Sequence, residues 1–173
     1  AASTAAQHPA VIKLGGCSAF IVNGNRLVSA KHCRHAASVQ FTLAGRTWTA
    51  RRIYTPTATD GPVVFAINGA DDSLPRLKLA TTPPKEGDQV VAMGWAGGTT
   101  WTQNGGRVTG GNGDDANFAT ARAQPGMSGG PLLNAQGEVI GVVLATGALD
   151  RSFNVYAGYR VTSTAIRGPT ASK

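Results

Sequence analysis

The stretch Gln124-Pro125-Gly126-Met127-Ser128-Gly129-Gly130-Pro131-Leu132-Leu133 sets a serine in a glycine-rich turn directly ahead of an apolar strand. A serine hydroxyl is a poor nucleophile at neutral pH, so a catalytic one must be exposed, held and given a base. It also needs backbone N–H groups aimed at the oxyanion that forms on attack. Gly126 keeps the chain free of side-chain bulk two residues before Ser128, where its N–H could join that of Ser128 in such a hole. The same letters also read as an ordinary Gly/Pro turn between strands. The rest of the chain decides between these readings.

The surroundings are those of an all-β protein. Charged residues make up 14% of the 173-residue chain and 23 residues are glycine, which disfavours long solvated helices. Beyond the turn, 132–134 and 138–144 read as strands joined by Ala135-Gln136-Gly137, with a closing strand at 155–161. Before it, 89–95 and 116–123 flank a very Gly-rich span from 97 to 113. In the first half, strands are expected at 11–14, 17–22 and 26–29. Asn23-Gly24-Asn25 joins the last two, because Asn and Gly tolerate positive φ. One helical turn fits within 30–37, followed by a hairpin of 39–43 and 47–54 turning at Ala44-Gly45. The segment 55–62 reads as loop, 63–67 as a short buried strand and 76–79 as a further one.

Pro83 and Pro84 remove backbone donors, so 81–88 is expected to be a linker. Roughly a dozen short strands in two halves fit a pair of small barrels. The expected organisation is an N-terminal arm at 1–10, a first barrel at 11–80, the linker, a second barrel at 89–167 and a tail at 168–173.

The net charge of +7 raises the question of a nucleic-acid partner. Arg51-Arg52 is the only adjacent basic pair and no aromatic-basic motif accompanies it, so a solvated positive surface is expected, with no nucleic acid bound. No apolar run nears the ~18–20 residues needed to span a membrane. The longest, 139–149, is broken by Gly141 and Gly147. No signal peptide is visible, which points to a mature or excised form. Cys17 and Cys33 could form one disulfide, the mark of an oxidising compartment, but their number alone does not show that they pair.

A base for Ser128 is offered by Leu27-Val28-Ser29-Ala30-Lys31-His32-Cys33, where His32 lies just past a strand and can face a cleft. A lone histidine there is often a satisfied core or surface residue, yet this chain has only three, and a serine in a suitable turn lies downstream. Cys17, His32, Cys33 and His35 could instead hold a metal, but they lack the paired spacing of tetrahedral zinc sites, so no metal is expected. An acid is needed to orient the imidazole and stabilise its protonated form. Asp60 is preferred among nine acidic residues because it precedes the strand at 63–67 and lies between His32 and Ser128. Asp71, Asp72 and Asp88 are rivals, whereas Asp114 and Asp115 sit in a Gly-rich turn. Residues 111–116 fit a G-x-G-x-x-A pattern without a βαβ context, which argues against a nucleotide role.

Ser29-Ala30-Lys31-His32-Cys33 resembles the T-A-A-H-C motif, and Gly126-Met127-Ser128-Gly129-Gly130-Pro131 resembles G-D-S-G-G-P, both of chymotrypsin-like serine proteases. The order His, Asp, Ser is that family's too. The middle is similar to the bacterial HtrA-like, short secreted branch: 39–43, 45–54, Thr59-Asp60 leading to Val63, and Glu86-Gly87-Asp88 follow its S-D-I-A-L and V-G-D segments. The resemblance covers about residues 11–165. It implies two antiparallel Greek-key β-barrels with the active site in the cleft between them. It implies an acyl-enzyme peptidase with Ser128 as nucleophile, His32 as base and Asp60 as orienting acid. The N–H groups of Gly126 and Ser128 would hold the oxyanion, and a Cys17–Cys33 disulfide would brace the histidine loop. It further implies a protein or peptide substrate, no cofactor, a monomer, and a secreted or periplasmic location.

Three departures carry expectations of their own. Met127 replaces the acid before the serine and the chain does not open with I-V-G-G, so activation by a buried N-terminal ion pair is not expected. Lys31 stands where a small residue is usual and is expected to turn to solvent. Gly61-Pro62, right after Asp60, is expected to keep the strand from pairing there. By the resemblance, the S1 pocket would be lined near Arg122 and Ala123, by Leu144, Ala145 and Thr146, and around Asn154. None of these is acidic, which argues against a preference for Lys or Arg; a small or medium apolar P1 residue is expected, with Arg122 turned to solvent. The alternatives are a viral protease of the same fold, excised from a polyprotein, and a catalytically inactive protease-fold binding module.

Overall fold

The computed structural model describes residues 8–57, 60–111, 117–145 and 150–154. Six strands from the first half form one antiparallel sheet: β1 (Val11–Leu14), β2 (Cys17–Val22), β3 (Arg26–Ala30), β4 (Ser38–Leu43), β5 (Arg46–Tyr54) and β6 (Pro62–Ile67), in the order β1-β2-β3-β6-β5-β4. The second half forms β7 (Gln89–Ala96), β8 (Thr100–Gly111), β9 (Asn117–Ala119), β10 (Pro131–Leu133), β11 (Val139–Ala145) and β12 (Asp150–Asn154). These close into a barrel, β10-β11-β12-β9-β8-β7, because β10 pairs with β7 through Leu132 and Ala92 as well as with β11. A closed barrel leaves no strand edge unpaired. The all-β fold read from the sequence is thus present as two antiparallel units.

Turn chemistry sets the registers. Gly24 and Asn25 take positive φ between β2 and β3, as do Ala44 and Gly45 between β4 and β5. Those values suit the tight hairpin turns whose twist matches the strands they join. In β5, Trp48 and Ala50 point inward at alternate positions. Trp48 places its ring in the core while its indole N–H donates to the Leu43 carbonyl at 2.9 Å. A single 3-10 turn, Lys31–Cys33, follows β3 and ends at Arg34 with φ 57°.

The hydrophobic core under the first sheet does not stop at that sheet. Phe20, Ile21, Leu27, Val28, Val64 and Phe65 pack in one cluster with Trp95, Leu133, Val139, Val142 and Leu144 from the barrel. The Trp95 indole N–H also donates to the Val11 carbonyl at 3.3 Å, tying β7 to β1. Inside the barrel a second cluster is built largely of small residues, among them Ala92, Ala119, Ala121 and Ala123, around Met127, Ile140 and Val143.

The structure corrects several readings. The Gly61-Pro62 pair does not keep the strand from pairing: β6 begins at Pro62 opposite Ala30, and the Gly61 carbonyl accepts the Lys31 N–H at 2.9 Å. A proline is tolerated as the first residue of a strand because only its missing donor would disturb the ladder. Most of the Gly-rich span is strand, since β8 pairs with β7 residue for residue from Thr100–Ala96 to Arg107–Gln89. The segment 76–79 makes only isolated bridges, Leu77 to Val22 and Leu79 to Val139. Within the described part of 116–123, residues 117–123, only Asn117–Ala119 is strand. The expected strand at 155–161 lies outside the described residues, and β12 precedes it.

Gly106 shows why glycine was needed in β8: a Cβ there would overlap the backbone N of Ala121. Both groups are main chain, so neither can yield cheaply. Gly106→Ala is therefore expected to destabilise the fold at or beyond the ~1–3 kcal/mol typical of overpacking. Urea unfolding of this variant beside the unsubstituted protein should show it; an unchanged midpoint would contradict the packing.

Candidate active site

β3, the 3-10 turn and β6 together present His32. The turn lifts the imidazole out of the ladder and leaves its side chain 41% exposed, while Asp60, just before β6, is 13% exposed. Asp60 Oδ2 lies 2.7 Å from His32 Nδ1, and Oδ1 accepts the backbone N–H groups of His32 at 3.0 Å and of Gly61 at 2.9 Å. A carboxylate accepts only, so Nδ1 carries the proton and Nε2 keeps its lone pair. The loop before Asp60 is stapled by Lys31, whose Nζ donates to the Pro56 carbonyl at 2.8 Å. Lys31 thus does not turn to solvent; the loop folds back within its reach.

Two of the three rival acids are engaged elsewhere. Asp71 accepts from Ser73 and pairs with Arg46, and Asp88 accepts the Lys85 N–H. Hydrogen bonds from Ser73 and the nearby Arg46 and Arg76 hold the Asp71 carboxyl below its ordinary range. Asp114 and Asp115 lie outside the described residues.

Ser128 is buried to 7% exposure in the turn ahead of β10. Its Oγ sits 3.4 Å from the Leu144 carbonyl, long for an O–H···O bond, so the hydroxyl is loosely engaged. The structure does not record a hydrogen bond between Ser128 and His32. It does bring their surroundings together, because Cys33 Sγ lies 3.8 Å from the Ser128 carbonyl oxygen. That is a contact and not a hydrogen bond, since Cys33 is joined to Cys17 in a disulfide and its sulfur carries no hydrogen. The same bond leaves neither sulfur as a thiolate for the Cys/His metal set. In uncomplexed sites a nucleophile–base bond is often open and closes on substrate.

The turn itself is fixed on all sides. Gly126 adopts φ 97°, and a Cβ there would lie 2.5 Å from the Trp95 carbonyl and 2.6 Å from the N of Gly97 and of Gly98. Gly97 N–H donates to the Pro125 carbonyl at 2.6 Å and Ser18 N–H to the Ser128 carbonyl at 2.8 Å. Among the described residues, no protein acceptor takes the N–H of Gly126 or of Ser128.

Three hydrogen-bonding partners behind the turn were not expected from the sequence: Ser18, Ser29, and His35, which was read only as a possible metal ligand. Ser29 Oγ donates to the Ser18 carbonyl at 2.8 Å and lies 2.9 Å from His35 Nε2. The signal was present, since Ser18 and Ser29 are polar residues in strands whose other buried residues are apolar, and a buried hydroxyl needs partners. Of the residues expected to line S1, Arg122 is exposed and its carbonyl accepts from Asn104, while Ala123 is buried. Leu144 sends its side chain into the core and offers its carbonyl to Ser128. Ala145 and Asn154 are described as strand backbone only, and Thr146 lies outside the described residues.

The family model of the trypsin-like peptidase domain matches residues 17–142, from the first cysteine to β11 and more than half of the chain. The chain belongs to the trypsin-like peptidase family. Crystal structures of the Rv3671c protease of M. tuberculosis superpose on this peptidase domain in both forms. The inactive form is 23% identical at a TM-score of 0.71, covering 92% of this chain and 89% of that one. The active form is 22% identical at 0.72, covering 94% and 82%. Both matches speak for the fold. The HtrA-type protease AlgW with decapeptide is 25% identical at 0.67, covering 80% of this chain and 47% of its own. An HtrA-like relationship was what the middle of the sequence suggested. No curated protein sequence matches the chain. No helix among the described residues is long and apolar enough to cross a membrane.

Burial holds the His35 imidazole below its ordinary value of 6.5, and the neighbouring Arg52 guanidinium lowers it further. Burial lowers His8 as well. Unfolded chains therefore take up these protons at a higher pH than the folded peptidase does. Their contribution to stability is full above about 6.5 and is lost as pH falls through that value toward the lowered folded ones. The urea midpoint of the domain is expected to drop between about pH 7.5 and about pH 5.5, and less so in His35→Gln. An equal drop in the variant would show that His35 is not a source of it.

Proposed function

We propose that the chain is a serine endopeptidase that hydrolyses peptide bonds through an acyl-enzyme. The observation that carries this reading is the three-point hold on Asp60, which directs His32 Nδ1 to the carboxylate and leaves Nε2 as the free base. Ser128 Oγ attacks the scissile carbonyl carbon as His32 Nε2 accepts its proton. The carbonyl π electrons move onto oxygen, where the N–H groups of Gly126 and Ser128 receive the negative charge. Collapse of the tetrahedral adduct breaks the C–N bond, and His32 returns the proton to the leaving amine. Water then repeats the sequence on the ester and frees Ser128.

On this reading the P1 side chain meets the neighbourhood of Ala123 and the Leu144 backbone, with Arg122 in solvent, and a small or medium apolar residue fits best. The disulfide supports a secreted or periplasmic site of action. The reading takes protein or peptide substrates and a monomeric enzyme.

A fluorophosphonate probe is expected to label Ser128 in the folded protein and to fail on Ser128→Ala. Absence of labelling in folded wild type would overturn the reading in favour of a binding module. Asp60→Asn is expected to lower kcat by ~10⁴ while leaving the fold intact, because the amide imposes the wrong tautomer on His32. If peptide turnover survives that change, the orienting acid is another residue.

A further inference from the structure

Ser18 lies in the middle of the molecule with no exposed surface, on a strand whose other inward residues are apolar. Each of its polar atoms is used. Its N–H donates to the Ser128 carbonyl at 2.8 Å, and its carbonyl accepts the Ser29 hydroxyl at 2.8 Å. Its Oγ accepts the Trp95 N–H at 2.9 Å and donates to the Gly126 carbonyl at 2.8 Å. One hydroxyl has one hydrogen, so the directions are settled: Trp95 donates in, and the hydrogen goes to Gly126. A single residue of the first sheet therefore grips both ends of the Gly126–Ser128 turn.

The peptide planes around Gly126 give that grip its consequence. The Gly97 N–H holds the Pro125 carbonyl at 2.6 Å, and all described peptides are trans. In a trans peptide the N–H points opposite to the C=O, so the Gly126 N–H faces away from Gly97. The next peptide, Gly126–Met127, is held through its carbonyl by Ser18 at 2.8 Å and through its N–H by the Gln124 carbonyl at 2.9 Å. With both flanking planes clamped, the φ of 97° at Gly126 is fixed although glycine alone could take many values. Release of the Ser18 hydroxyl would leave the second plane held by the Met127 N–H alone and free to tilt about that bond, and the alignment of the Gly126 and Ser128 N–H groups would shift with it.

Ser29 orders the layer behind. Its one hydrogen is given to the Ser18 carbonyl, so the 2.9 Å contact with His35 must be a donation from the imidazole Nε2–H to Ser29 Oγ. His35, Ser29 and Ser18 form a directed chain that ends at the nucleophile turn.

We infer that Ser18 is a positioning residue for the oxyanion donors, acting through the Gly126 peptide without touching substrate. This rests on the serine-peptidase reading. The test compares wild type with Ser18→Ala, and with Ser18→Gly in case alanine perturbs packing, on one peptide substrate and one peptide boronic acid. Rates are counted per folded molecule. The expected result is a fall in kcat of ~10²–10³ with KM little changed, as for loss of an oxyanion donor. Affinity for the boronic acid, whose tetrahedral adduct places an oxygen in the hole, should fall in step, and affinity for the cleaved product peptide should not. A lowered unfolding midpoint with wild-type kcat and boronic-acid affinity would make Ser18 a packing residue and overturn the inference. So would failure of both variants to unfold cooperatively, which would make Ser18 a folding residue. Wild type that neither turns over peptide nor reacts with fluorophosphonate would sink the peptidase reading instead.

Discussion

The close approach of the Gly126–Gly130 backbone to the first sheet and to β7 governs the rest of the molecule. A Cβ on Gly129 would overlap the Ser18 carbonyl and lie 2.5 Å from Ser29 Oγ, and one on Gly130 would overlap the Met93 carbonyl. The glycines after the serine are therefore the space that other strands' main chain occupies. At such distances main-chain polar groups are cut off from water and must pair with one another. They do: Gly129 N–H donates to the Val143 carbonyl and Ser18 N–H to that of Ser128, each at 2.8 Å. The turn owes its shape to two neighbouring units at once, which is why the sheet and the barrel share a core through Trp95 and Leu144.

The imidazole is held to the same strand by covalent chemistry. Cys17 precedes Ser18, and Cys33 follows His32, so the disulfide joins the neighbour of the residue that holds the turn to the neighbour of His32. It closes a loop with a sequence separation of 16, long enough to remove ~3 kcal/mol of chain entropy from the unfolded state in the simplest account. Asp60 completes the frame from the opposite side. Its two main-chain hydrogen bonds, from His32 and Gly61, fix one carboxylate oxygen and so aim the other at the imidazole. Position is thus set by backbone on both flanks of His32, and side-chain freedom is confined to the ring.

Local chemistry made much of this legible. The hairpin turns at Gly24-Asn25 and Ala44-Gly45 were readable because positive φ has few bearers. His32 and Asp60 were readable from their place beside strands, and the structure joins them. β8 was not, because glycine lowers strand propensity and only the eight-residue ladder with β7 overrides it. Ser18, Ser29 and His35 were missed for a different reason. Their partners lie in strands far apart in sequence, Ser18 being 77 positions from Trp95 and 108 from Gly126. A buried serine announces a need for partners, but a linear pattern does not say which.

Met127 explains why the brace is made of neutral groups. Its side chain has no exposed surface and packs inside the barrel, and the Gln124 N–H meets its sulfur at 3.4 Å. A Cβ on Gly94 would stand only 3.0 Å from Met127 Cα, so there is no room for a solvated group at that side. A carboxylate in this place would be stripped of water and would need a buried cation to offset the loss. A thioether needs none. Holding the turn then falls to hydrogen bonds between hydroxyls and peptides, whose strength does not depend on ionisation near neutral pH. His35 is the one titratable member of the chain, and its bond to Ser29 uses the Nε2 hydrogen. Taking up a second proton at Nδ1 leaves that bond in place, so even the outermost link keeps its direction when the ring is charged.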